Sequence, residues 1–432
     1  MKIPTASWSP AKPSPVVDAF LDRSAVSSNA TDVAAAILAD IRREGDKAVV
    51  RHARRLDTPN LTAARLRVSE AEIAAASAIV DRSFRRSVKE AARRIDRFSR
   101  AGLRKDWRMT TPRGGFLGEQ FRPLDRVGVY IPGGTAPLVS TALMTACLAR
   151  AAGVPSIVAC TPAVKDGSVN PFVLHAMQAA GVTEIYRIGG VMAVGALAYG
   201  TRTIARVQKI VGPGNAYVTA AKKLVYGQVA LDSIAGPSEV AILADDSADP
   251  RHVAADLLAQ AEHGTGEEKA LLVTTSVKLA RAVERELHTQ RVALPRSALI
   301  DRVLDKGLLF VTVKKLDDGI TVINRFAPEH LEILVRNPAA LLPRLHAAGA
   351  IFLGPWTPES AGDFVAGPSH VLPTGGAAAM FSGLTVDDFR RRSSVISLTR
   401  ADLAEMLPVI EDFGRVEGLE GHARSARIRF LT

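Results

Sequence analysis

The spacing of apolar residues predicts helices in the first quarter of the chain. Apolar positions recur every three or four residues through DVAAAILADIRREG and again through SEAEIAAASAIV, as on the buried face of an amphipathic helix. The next stretch, residues 82–105, repeats this spacing with Phe84, Val88, Ala91, Ile95 and Phe98. We therefore predict three helices before the first strand candidate, RVGVYI at residues 126–131.

From residue 126 onward, short apolar runs alternate with helical segments. One set runs from RVGVYI through STALMTACLARAAG, SIVAC, EIYRIGG and KIVGPGNAYVTAAKKLV, and a second from VAILAD through ALLVTTS, LLFVTV and AIFLG. A repeated strand, glycine-rich turn and helix is typical of a doubly wound parallel sheet. The sequence predicts an α/β fold with two such lobes, Rossmann-like but incomplete, and a cleft between them.

The two sets also indicate domain boundaries. Residues 1–30 begin with a segment rich in Pro and Ser and are expected to form an N-terminal arm, of the kind that often serves a dimer. We expect the first α/β lobe to comprise residues 31–126 and 237–380, and the second residues 127–236. Residues 381–432 are predicted to be a small, mainly helical C-terminal unit that ends in a charged strand or coil.

The chain has a formal net charge of +11, which could indicate a nucleic-acid partner, an acidic substrate or only a coding bias. The densest basic stretch, residues 82–105, places its arginines opposite the apolar positions, so a solvated helix face explains them better. No zinc-finger spacing, aromatic RNA-binding motif or basic region with heptads accompanies it. We therefore expect no nucleic-acid partner.

Cys147 and Cys160 are the only cysteines in 432 residues, too few for a chain of this length to depend on a disulfide. The start, MKIPTASWSPAKPSP, has no apolar run of signal-peptide length, and the apolar stretch from Leu138 is broken by Arg150 and Pro155. We expect a cytoplasmic protein without a membrane span. Cys147 lies in an apolar helix without a neighbouring His or Lys, so a buried side chain explains it better than a catalytic thiol.

Two glycine-rich turns between strands and helices are candidates for a nucleotide site. They are IPGGTA, from Ile131, and VGPGNA, from Val211. In such turns, backbone amides and a helix N-terminus can approach a phosphate because no Cβ is in the way. Neither turn completes the G-x-G-x-x-G pattern, and α/β proteins use glycine at these connections generally, so plain structural turns are the alternative.

A helix opened by Asp249 and Pro250 is predicted to carry polar side chains on its apolar face. By helical angle Gln260 falls within the stripe of packed residues, and His263 lies one turn further on, before Gly264 ends the helix. Such a pair suits a metal ion, although backbone carbonyl groups would satisfy it equally well. A metal would need further ligands from distant segments.

Candidates for those further ligands lie on predicted turns, where loop residues often serve function. Asp363 and His370 belong to the segment SAGDFVAGPSH, and His422 belongs to EGLEGHARS. Each of them taken alone is more often a turn former or a surface histidine, and no C-x-x-C or H-E-x-x-H spacing marks a local site. The residues alone therefore leave metal binding open.

Glu329 and His330 follow Pro328 at the predicted opening of another helix. At that position the helix macrodipole would keep Glu329 ionised and His330 neutral. A neutral imidazole beside a carboxylate suits two successive proton abstractions, and plain helix capping by the Glu is the alternative.

Seven segments, in sequence order along almost the whole chain, resemble the histidinol dehydrogenase family. They are VGVYIPGGTAPLVSTALM, KIVGPGNAYV, IAGPSEV, DLLAQAEHG, FAPEHLEI, PESAGDFVAGPSHVLPT and EGLEGHARS. The resemblance implies a zinc-dependent enzyme that oxidises L-histidinol through L-histidinaldehyde to L-histidine with two NAD in turn. A related zinc-dependent NAD dehydrogenase for another small polar alcohol is the alternative.

The resemblance also implies site residues and a partner. It places the zinc ligands at Gln260, His263, Asp363 and His422. The last of these would come from the partner subunit of a homodimer that exchanges its C-terminal units. Together with these ligands, it assigns substrate positioning to Ser238, His330, His370 and Glu417.

By the same resemblance, His330 is the general base that removes the alcohol proton, and Glu329 activates the water that adds to the aldehyde. Cofactor contacts are implied for Tyr130 and Asn215, at the two glycine turns. Met192 stands where the family commonly has a Gln that would hydrogen-bond the nucleotide. Because a thioether cannot donate a hydrogen bond, altered NAD binding is expected.

Overall fold

The computed structural model describes residues 3–22, 28–133, 137–234 and 236–431. Two parallel sheets flanked by helices and one small antiparallel sheet form its architecture. This confirms the predicted α/β fold with two doubly wound lobes. Within the described ranges, no helix has both the length and the apolar character needed to cross a membrane.

The larger parallel sheet defines the six-stranded lobe. Its strands are β1 (Thr5–Ser7), β9 (Glu239–Ala244), β10 (Lys269–Thr274), β11 (Leu308–Thr312), β12 (His330–Leu334) and β13 (Ala350–Leu353). They lie in the order β1-β11-β10-β9-β12-β13, all parallel. The helices that cover them are α1 (Pro15–Leu21), α10 (Pro250–Ala261), α11 (Val277–Arg291), α12 (Ser297–Gly307), α13 (Leu316–Phe326) and α14 (Glu359–Phe364).

The smaller parallel sheet defines the five-stranded lobe. Its strands are β4 (Arg126–Tyr130), β5 (Ser156–Cys160), β6 (Glu184–Tyr186), β7 (Lys209–Val211) and β8 (Ala230–Leu231), in the order β6-β5-β4-β7-β8. Helices α6 (Val139–Ala152), α7 (Pro171–Ala180), α8 (Gly190–Tyr199) and α9 (Ala216–Val225) connect them. The strand order reverses between β4 and β7, which makes the carboxyl ends of these strands the topological switch point.

Four helices that lie between α1 and β4 along the chain pack on the five-stranded lobe. They are α2 (Ser28–Glu44), α3 (Asp46–Leu56), α4 (Glu70–Ile79) and α5 (Arg82–Ala101). Ile37 and Ile41 of α2 share a core with Leu197 of α8, and Ile95 of α5 shares one with Met144 of α6. The expected assignment of residues 31–126 to the first lobe is therefore corrected, because the apolar faces of these helices are buried against the other sheet.

The basic stretch forms an amphipathic helix, as predicted. Val88, Ala91 and Ile95 of α5 are buried, whereas its arginines lie on the opposite face. Phe98 differs from the expected pattern, since 53% of its surface is exposed. The helix thus contributes a narrower apolar stripe to the core than the spacing predicted.

The N-terminal segment lies on its own lobe. Strand β1 pairs in parallel with β11, and the N–H of Trp8 donates to the carbonyl of Thr312 at 3.0 Å. Trp8, Val17 and Phe20 are buried in the core of the six-stranded lobe. Residues 3–22 are therefore not an extended arm, because these apolar side chains anchor them to the edge of the sheet.

A small antiparallel sheet begins the C-terminal unit. It contains β2 (Trp107–Thr110), β3 (Phe116–Pro123) and β14 (Arg390–Ser397), in the order β14-β3-β2. Two helices follow, α15 (Arg400–Val416) and α16 (Glu420–Arg427), and the chain then forms a 3₁₀ turn at Ile428–Phe430. The unit is mainly helical, as predicted, but its strand comes at the start and a helical turn replaces the expected terminal strand or coil.

Candidate active site

Glu329 and His330 lie at the amino end of a strand. After α13, Ala327 adopts a left-handed backbone conformation with a φ of 45°, and Pro328 follows. His330 then starts β12, where it pairs with Val240 of β9. The predicted helix opening after Pro328 was wrong, because the run HLEIL is buried on both faces of a parallel sheet and so shows no strand alternation.

One backbone contact orients the buried imidazole of His330. Its Nδ1 lies 3.2 Å from the carbonyl oxygen of Glu239, and since a carbonyl only accepts, Nδ1 carries the proton. Its Nε2 has no hydrogen-bond partner among the described residues and lies 3.4 Å from a carboxylate oxygen of Asp363. In its neutral form His330 therefore presents an unprotonated nitrogen on the side of Asp363, as a general base requires.

Burial and neighbouring charge set the protonation of this pair. Burial raises the pKa of Glu329 to about 7, against the opposing effects of His330 and of the Glu239 N–H, which donates to Glu329 at 2.9 Å. Burial alone would lower the pKa of His330, but the carboxylates of Glu359, Glu329 and Asp363 raise it well above its ordinary value. The expectation of an ionised Glu329 and a neutral His330 is corrected, since the helix macrodipole on which it rested is absent at this strand.

Two helices bring candidate metal ligands together. Helix α10 begins as predicted, with Asp249 accepting from the N–H of Arg251, and His263 lies just beyond its end. Helix α14 carries Glu359 and Asp363 one turn apart. One potential ligand atom of His263, one of Glu359 and one of Asp363 all lie within 4.8 Å of one another. Imidazole nitrogen combined with carboxylate oxygen is a donor set suited to zinc and other divalent ions.

Gln260 is fully buried in the last turn of α10, where the apolar stripe predicted it. Neither Oε1 nor Nε2 of its amide has a hydrogen-bond partner within the described ranges. Leaving a buried polar group unpaired costs about 1–3 kcal/mol. The alternative, a Gln satisfied by backbone carbonyls, is not what the structure shows, and the unsatisfied amide fits a metal ligand beside His263.

Glu359 is a member of this group that the sequence reasoning missed. It is buried, its Oε1 lies 3.6 Å from Nδ1 of His330, and its Oε2 has no hydrogen-bond partner in the described part of the chain. Burial raises the pKa of Glu359 to about 8. A signal was present, since Glu359 follows Pro358 in PESAG as Glu329 follows Pro328 in PEHLE.

One cavity of about 320 Å³ joins these groups across the two lobes. Its walls include the predicted site residues Ser238, His263, Glu329, His330, Asp363 and His370. Pro213, from the VGPGNA turn of the five-stranded lobe, lines the same cavity. The acid–base pair, the candidate metal ligands and one candidate nucleotide turn therefore face a common space in the cleft between the lobes.

His370 is fixed between two elements of the cavity wall. Its Nδ1 donates to the carbonyl oxygen of Asp363 at 3.0 Å, and its Nε2 lies 3.3 Å from the hydroxyl of Thr141 on α6. Burial lowers the pKa of His370, which favours the neutral imidazole. His370 lies outside regular structure, as predicted, whereas Asp363 lies in α14 and not on a turn.

Tyr130 and Asn215 lie at the carboxyl ends of neighbouring strands. Tyr130 ends β4, and its hydroxyl accepts a hydrogen bond of 3.1 Å from the N–H of Gly190. Burial raises the pKa of Tyr130 to about 12. Asn215 caps α9 by accepting from the N–H groups of Tyr217 and Val218. Both residues border the switch point at which doubly wound sheets bind nucleotides.

A buried ion pair holds the turn between β7 and α9. Gly212 has a φ of 117°, and a Cβ at this position would lie 2.2 Å from the carbonyl oxygen of Tyr130. The N–H of Gly212 donates to Asp232 at 2.7 Å, and its carbonyl accepts from Nζ of Lys222 at 3.0 Å. Lys222 and Asp232 also pair directly, and each side chain is only 3% exposed. The turn is therefore held by hydrogen bonds to both the N–H and the carbonyl of Gly212.

Met192 is the third predicted cofactor contact. Met192 is 1% exposed and lies in the core between α8 and α2, because α8 is apolar on all sides. Its side chain does not line the cavity that contains His330, and its contact with NAD stays a prediction. Gly134, Thr135 and Ala136 of the first glycine turn lie outside the described residues.

Glu417 and His422 are not in the cavity that contains His330. Glu417 follows α15, and His422 lies in α16 and not on the predicted turn; both are exposed. They line a separate surface cavity of about 320 Å³ together with Phe413 and Leu419. A single copy of the chain therefore does not place these two predicted residues at the catalytic group.

The two cysteines are buried and free. Burial raises the pKa of Cys147 to about 11, so its thiol is protonated at neutral pH. The interpretation of Cys147 as a small buried side chain is confirmed.

The chain is similar to known proteins over nearly its whole length. The family model for histidinol dehydrogenase matches residues 21–430. A histidinol dehydrogenase of Heliobacterium mobile is 46% identical over 418 residues, which is 96% of this chain and 98% of that protein. One of Moorella thermoacetica is 48% identical over 393 residues, 91% and 92% of the two chains. The crystal structure of histidinol dehydrogenase from Elizabethkingia anophelis aligns with a TM-score of 0.93 at 33% identity, covering 99% of this chain and 98% of that one.

Proposed function

The chain belongs to the histidinol dehydrogenase family, whose members catalyse the final steps of histidine biosynthesis, and from this premise we propose its reaction in full. L-histidinol is oxidised to L-histidinaldehyde, which is hydrated and then oxidised to L-histidine. The substrate carbon loses one hydride in each oxidation, each to one NAD, and water supplies the second carboxylate oxygen. We place the enzyme in the cytoplasm, where its free thiols stay reduced.

The shared cavity is the observation that carries this proposal. It brings an imidazole, a carboxyl with a pKa of about 7, three candidate metal ligands and a glycine-rich turn around one space of about 320 Å³. A substrate in that space can meet a base and a hydride acceptor together, which an oxidation of an alcohol requires.

Gln260, His263 and Asp363 are the residues of this chain that would hold zinc, with Glu359 beside them. Zinc, when bound, would polarise and orient the amino alcohol as a Lewis acid and template. The support is a donor set of nitrogen and oxygen atoms in which the amide of Gln260 is otherwise unsatisfied. His370 and Ser238, on the cavity wall, are placed to position the substrate.

In its neutral form, His330 removes the hydroxyl proton of the substrate through Nε2, and the neighbouring carboxylates that raise its pKa make it a stronger proton acceptor. The carbonyl of Glu239 fixes the proton on Nδ1, so that the lone pair of Nε2 is directed away from it. As hydride leaves the carbon, the hydroxyl proton passes to Nε2, and the same transfer is repeated on the aldehyde hydrate.

Glu329 takes a proton from the water that adds to the aldehyde. Its pKa of about 7 leaves a large fraction ionised at neutral pH, while a base with a pKa near the working pH accepts protons more readily than an ordinary carboxylate. The N–H of Glu239 holds one oxygen of this carboxyl at 2.9 Å, which limits its rotation.

The turn after β7 and the end of β4 are the proposed contacts of NAD. Tyr130 and Asn215 border the switch point, and Gly212 brings the backbone close to β4 without a side chain. NAD, when bound, accepts the hydride. Support comes from Pro213 of this turn, which lines the same cavity as His330.

A second copy of the chain completes the proposed site. On helix α15 the exposed fractions of Val409, Phe413 and Val416 are 58%, 62% and 73%. Such a row of exposed apolar side chains is typical of a surface that another protein covers. Glu417 and His422 border this surface. We propose a homodimer in which the C-terminal unit, residues 381–432, supplies His422 to the partner's metal and Glu417 to its substrate.

A stoichiometric assay tests the function. With limiting L-histidinol and excess NAD, we expect about two NADH per substrate by absorbance, and loss of the signal after treatment with a chelator and its return on adding zinc. One NADH per substrate would contradict the second oxidation, and turnover only of a different alcohol would contradict the substrate.

A further inference from the structure

Glu332 is a buried carboxyl that no proposed step uses. It lies two residues after His330 in β12, so both side chains leave the sheet on the same face. None of its surface is exposed. A carboxyl in this environment needs hydrogen-bond partners, because desolvation is costly. Its partners lie on the two helices that carry the candidate metal ligands.

The first partner is the start of α14. Oε1 of Glu332 accepts a hydrogen bond of 2.8 Å from the backbone N–H of Glu359. Glu359 is the first residue of this short helix, and Asp363 follows one turn later. A fixed first turn therefore fixes the position from which Asp363 projects.

The second partner is the carboxyl of Asp256 on α10. Oε2 of Glu332 has no N–H or hydroxyl donor among the described residues, and the carboxyl of Glu332 lies within hydrogen-bond reach of that of Asp256. Glu332 is buried and Asp256 is half-buried, and burial raises the pKa of both carboxyl groups, so that the two in contact can share a proton. Asp256 lies four residues before Gln260 and so on the same face of α10.

We propose that Glu332, through its pair with Asp256, is a positioning residue that holds α10 and α14 at the spacing which one metal ion requires. The carboxyl of Glu332 thereby connects three elements: β12, which carries His330; α10, which carries Gln260; and α14, which carries Asp363. The inference rests on the proposed function for the identity of the metal. Glu332 would thus set the geometry of the metal site without being a ligand itself.

Zinc affinity of the purified full-length protein, measured by competition with a chromophoric chelator, tests the inference. Glu332→Leu should weaken zinc binding about 10–100-fold, the usual effect of removing a group that orients ligands. Glu332→Gln should bind zinc nearly as well as the wild type, because its amide oxygen still accepts from Glu359 and its NH₂ donates to Asp256. Equal losses in the two variants would overturn the proposal.

Asp256 offers the same test from a half-buried side chain that tolerates replacement better. Asp256→Leu should match the zinc loss of Glu332→Leu, and the double variant should lose little more, since both changes break one pair. Additive losses would overturn the pairing. Glu184→Leu, at the amino edge of the other sheet, is the matched control, and its zinc affinity should remain that of the wild type.

Activity separates this inference from the proposed function. A wild-type protein that binds zinc without oxidising L-histidinol would overturn the function, while the comparison of zinc affinities stays valid. A wild-type enzyme that oxidises L-histidinol, together with a folded Glu332→Leu variant of unchanged zinc affinity, would overturn the inference alone.

Discussion

Numbered within their own lobes, strands β4 to β8 and strands β9 to β13 both lie in the order 3-2-1-4-5. In the five-stranded lobe the candidate cofactor contacts follow the carboxyl ends of the strands, at Tyr130 and Gly212. In the six-stranded lobe Ser238 and His330 lie at the amino ends of β9 and β12. The rule that ligands bind at the carboxyl edge therefore describes one lobe and not the other.

The two amino edges also differ in how their polar groups are satisfied. In the five-stranded lobe Arg126 and Glu184 form a two-point ion pair at 2.6 and 2.9 Å. In the six-stranded lobe His330 and Glu359 each retain a buried atom without a hydrogen-bond partner among the described residues. Nucleotides bind at helix N-termini, and in a parallel sheet the helices begin at the carboxyl edge. Acid–base and metal chemistry instead need side chains without hydrogen-bond partners, and either edge of a sheet can supply these.

The largest expected effect is on the reaction rate, for substitutions at the amino edge of the six-stranded lobe. His330→Ala should lower the rate of both oxidations about 10²–10⁴-fold, the usual contribution of a general base. Glu329→Ala should mainly slow the second oxidation, so that the first NADH forms and the second is delayed. Stopped-flow absorbance separates the steps. His346→Ala, an exposed histidine of the same lobe, is the control, and normal rates in both site variants would refute the roles.

The buried pair beneath the cofactor turn should give the next largest effect, on stability. Lys222→Met leaves the carboxylate of Asp232 buried without its cation, which typically costs about 3–5 kcal/mol. Lys223→Met changes the exposed neighbouring lysine and should alter the free energy of unfolding by less than about 0.5 kcal/mol. Urea unfolding measures both, and equal stabilities would show that the pair does not hold the turn.

The ion pair at the other amino edge should have a smaller, pH-dependent effect. The hydrogen bonds from Arg126 lower the pKa of Glu184 from 4.5 to about 2. A lowered folded-state pKa stabilises the protein above about pH 4.5, and the contribution is lost as the pH falls toward 2. Glu184→Gln should therefore lower the free energy of unfolding by about 1.5 kcal/mol at pH 7. This value is at the lower end of the range for hydrogen bonds to charged groups, because both side chains keep about a fifth of their surface exposed.

This difference between Glu184→Gln and the wild type should shrink when unfolding is measured at successively lower pH. Turnover of L-histidinol at pH 7 should not change, since this edge carries no catalytic group. A constant difference at all pH values, or a loss of activity, would contradict the comparison of the two edges.

The smallest effect concerns the cofactor turn. Asn215→Ala removes the cap of α9 and should cost about 1 kcal/mol of stability. If this helix end also contacts NAD, the KM for NAD rises while kcat changes little. Asn170→Ala removes an identical cap from α7 and should cost the same stability without changing KM. Equal KM values in the two variants would exclude Asn215 from the cofactor site.

The sequence predicted the alternation of strands and helices because strand, turn and helix signals are local. It did not predict which sheet the helices α2 to α5 cover, since periodicity defines a buried face but not its partner. The sequence pattern also predicted a helix after Pro328, where the structure has a strand, for a related reason. A run buried on both sides, such as HLEIL, has neither a period of two nor one of 3.6 residues.

Site residues were predictable where a polar side chain interrupts an apolar pattern. Gln260 was found in this way, and its burial and unsatisfied amide agree with the prediction. Met192 was implied by its position in a motif and not by an apolar pattern. Its side chain is buried beside an all-apolar helix, and its contact with NAD stays a prediction. His422 and Glu417 were implied by resemblance only, because no local pattern marks a residue that a partner subunit would use.

Strand β1 has a further consequence for handling the protein. It covers the outer edge of β11, whose residues LLFVT would otherwise expose a flat row of free peptide groups beside apolar side chains. Such an edge is a template for pairing between molecules. Residues 5–7 thus shield this edge, and forms of the protein that lack them should self-associate more readily.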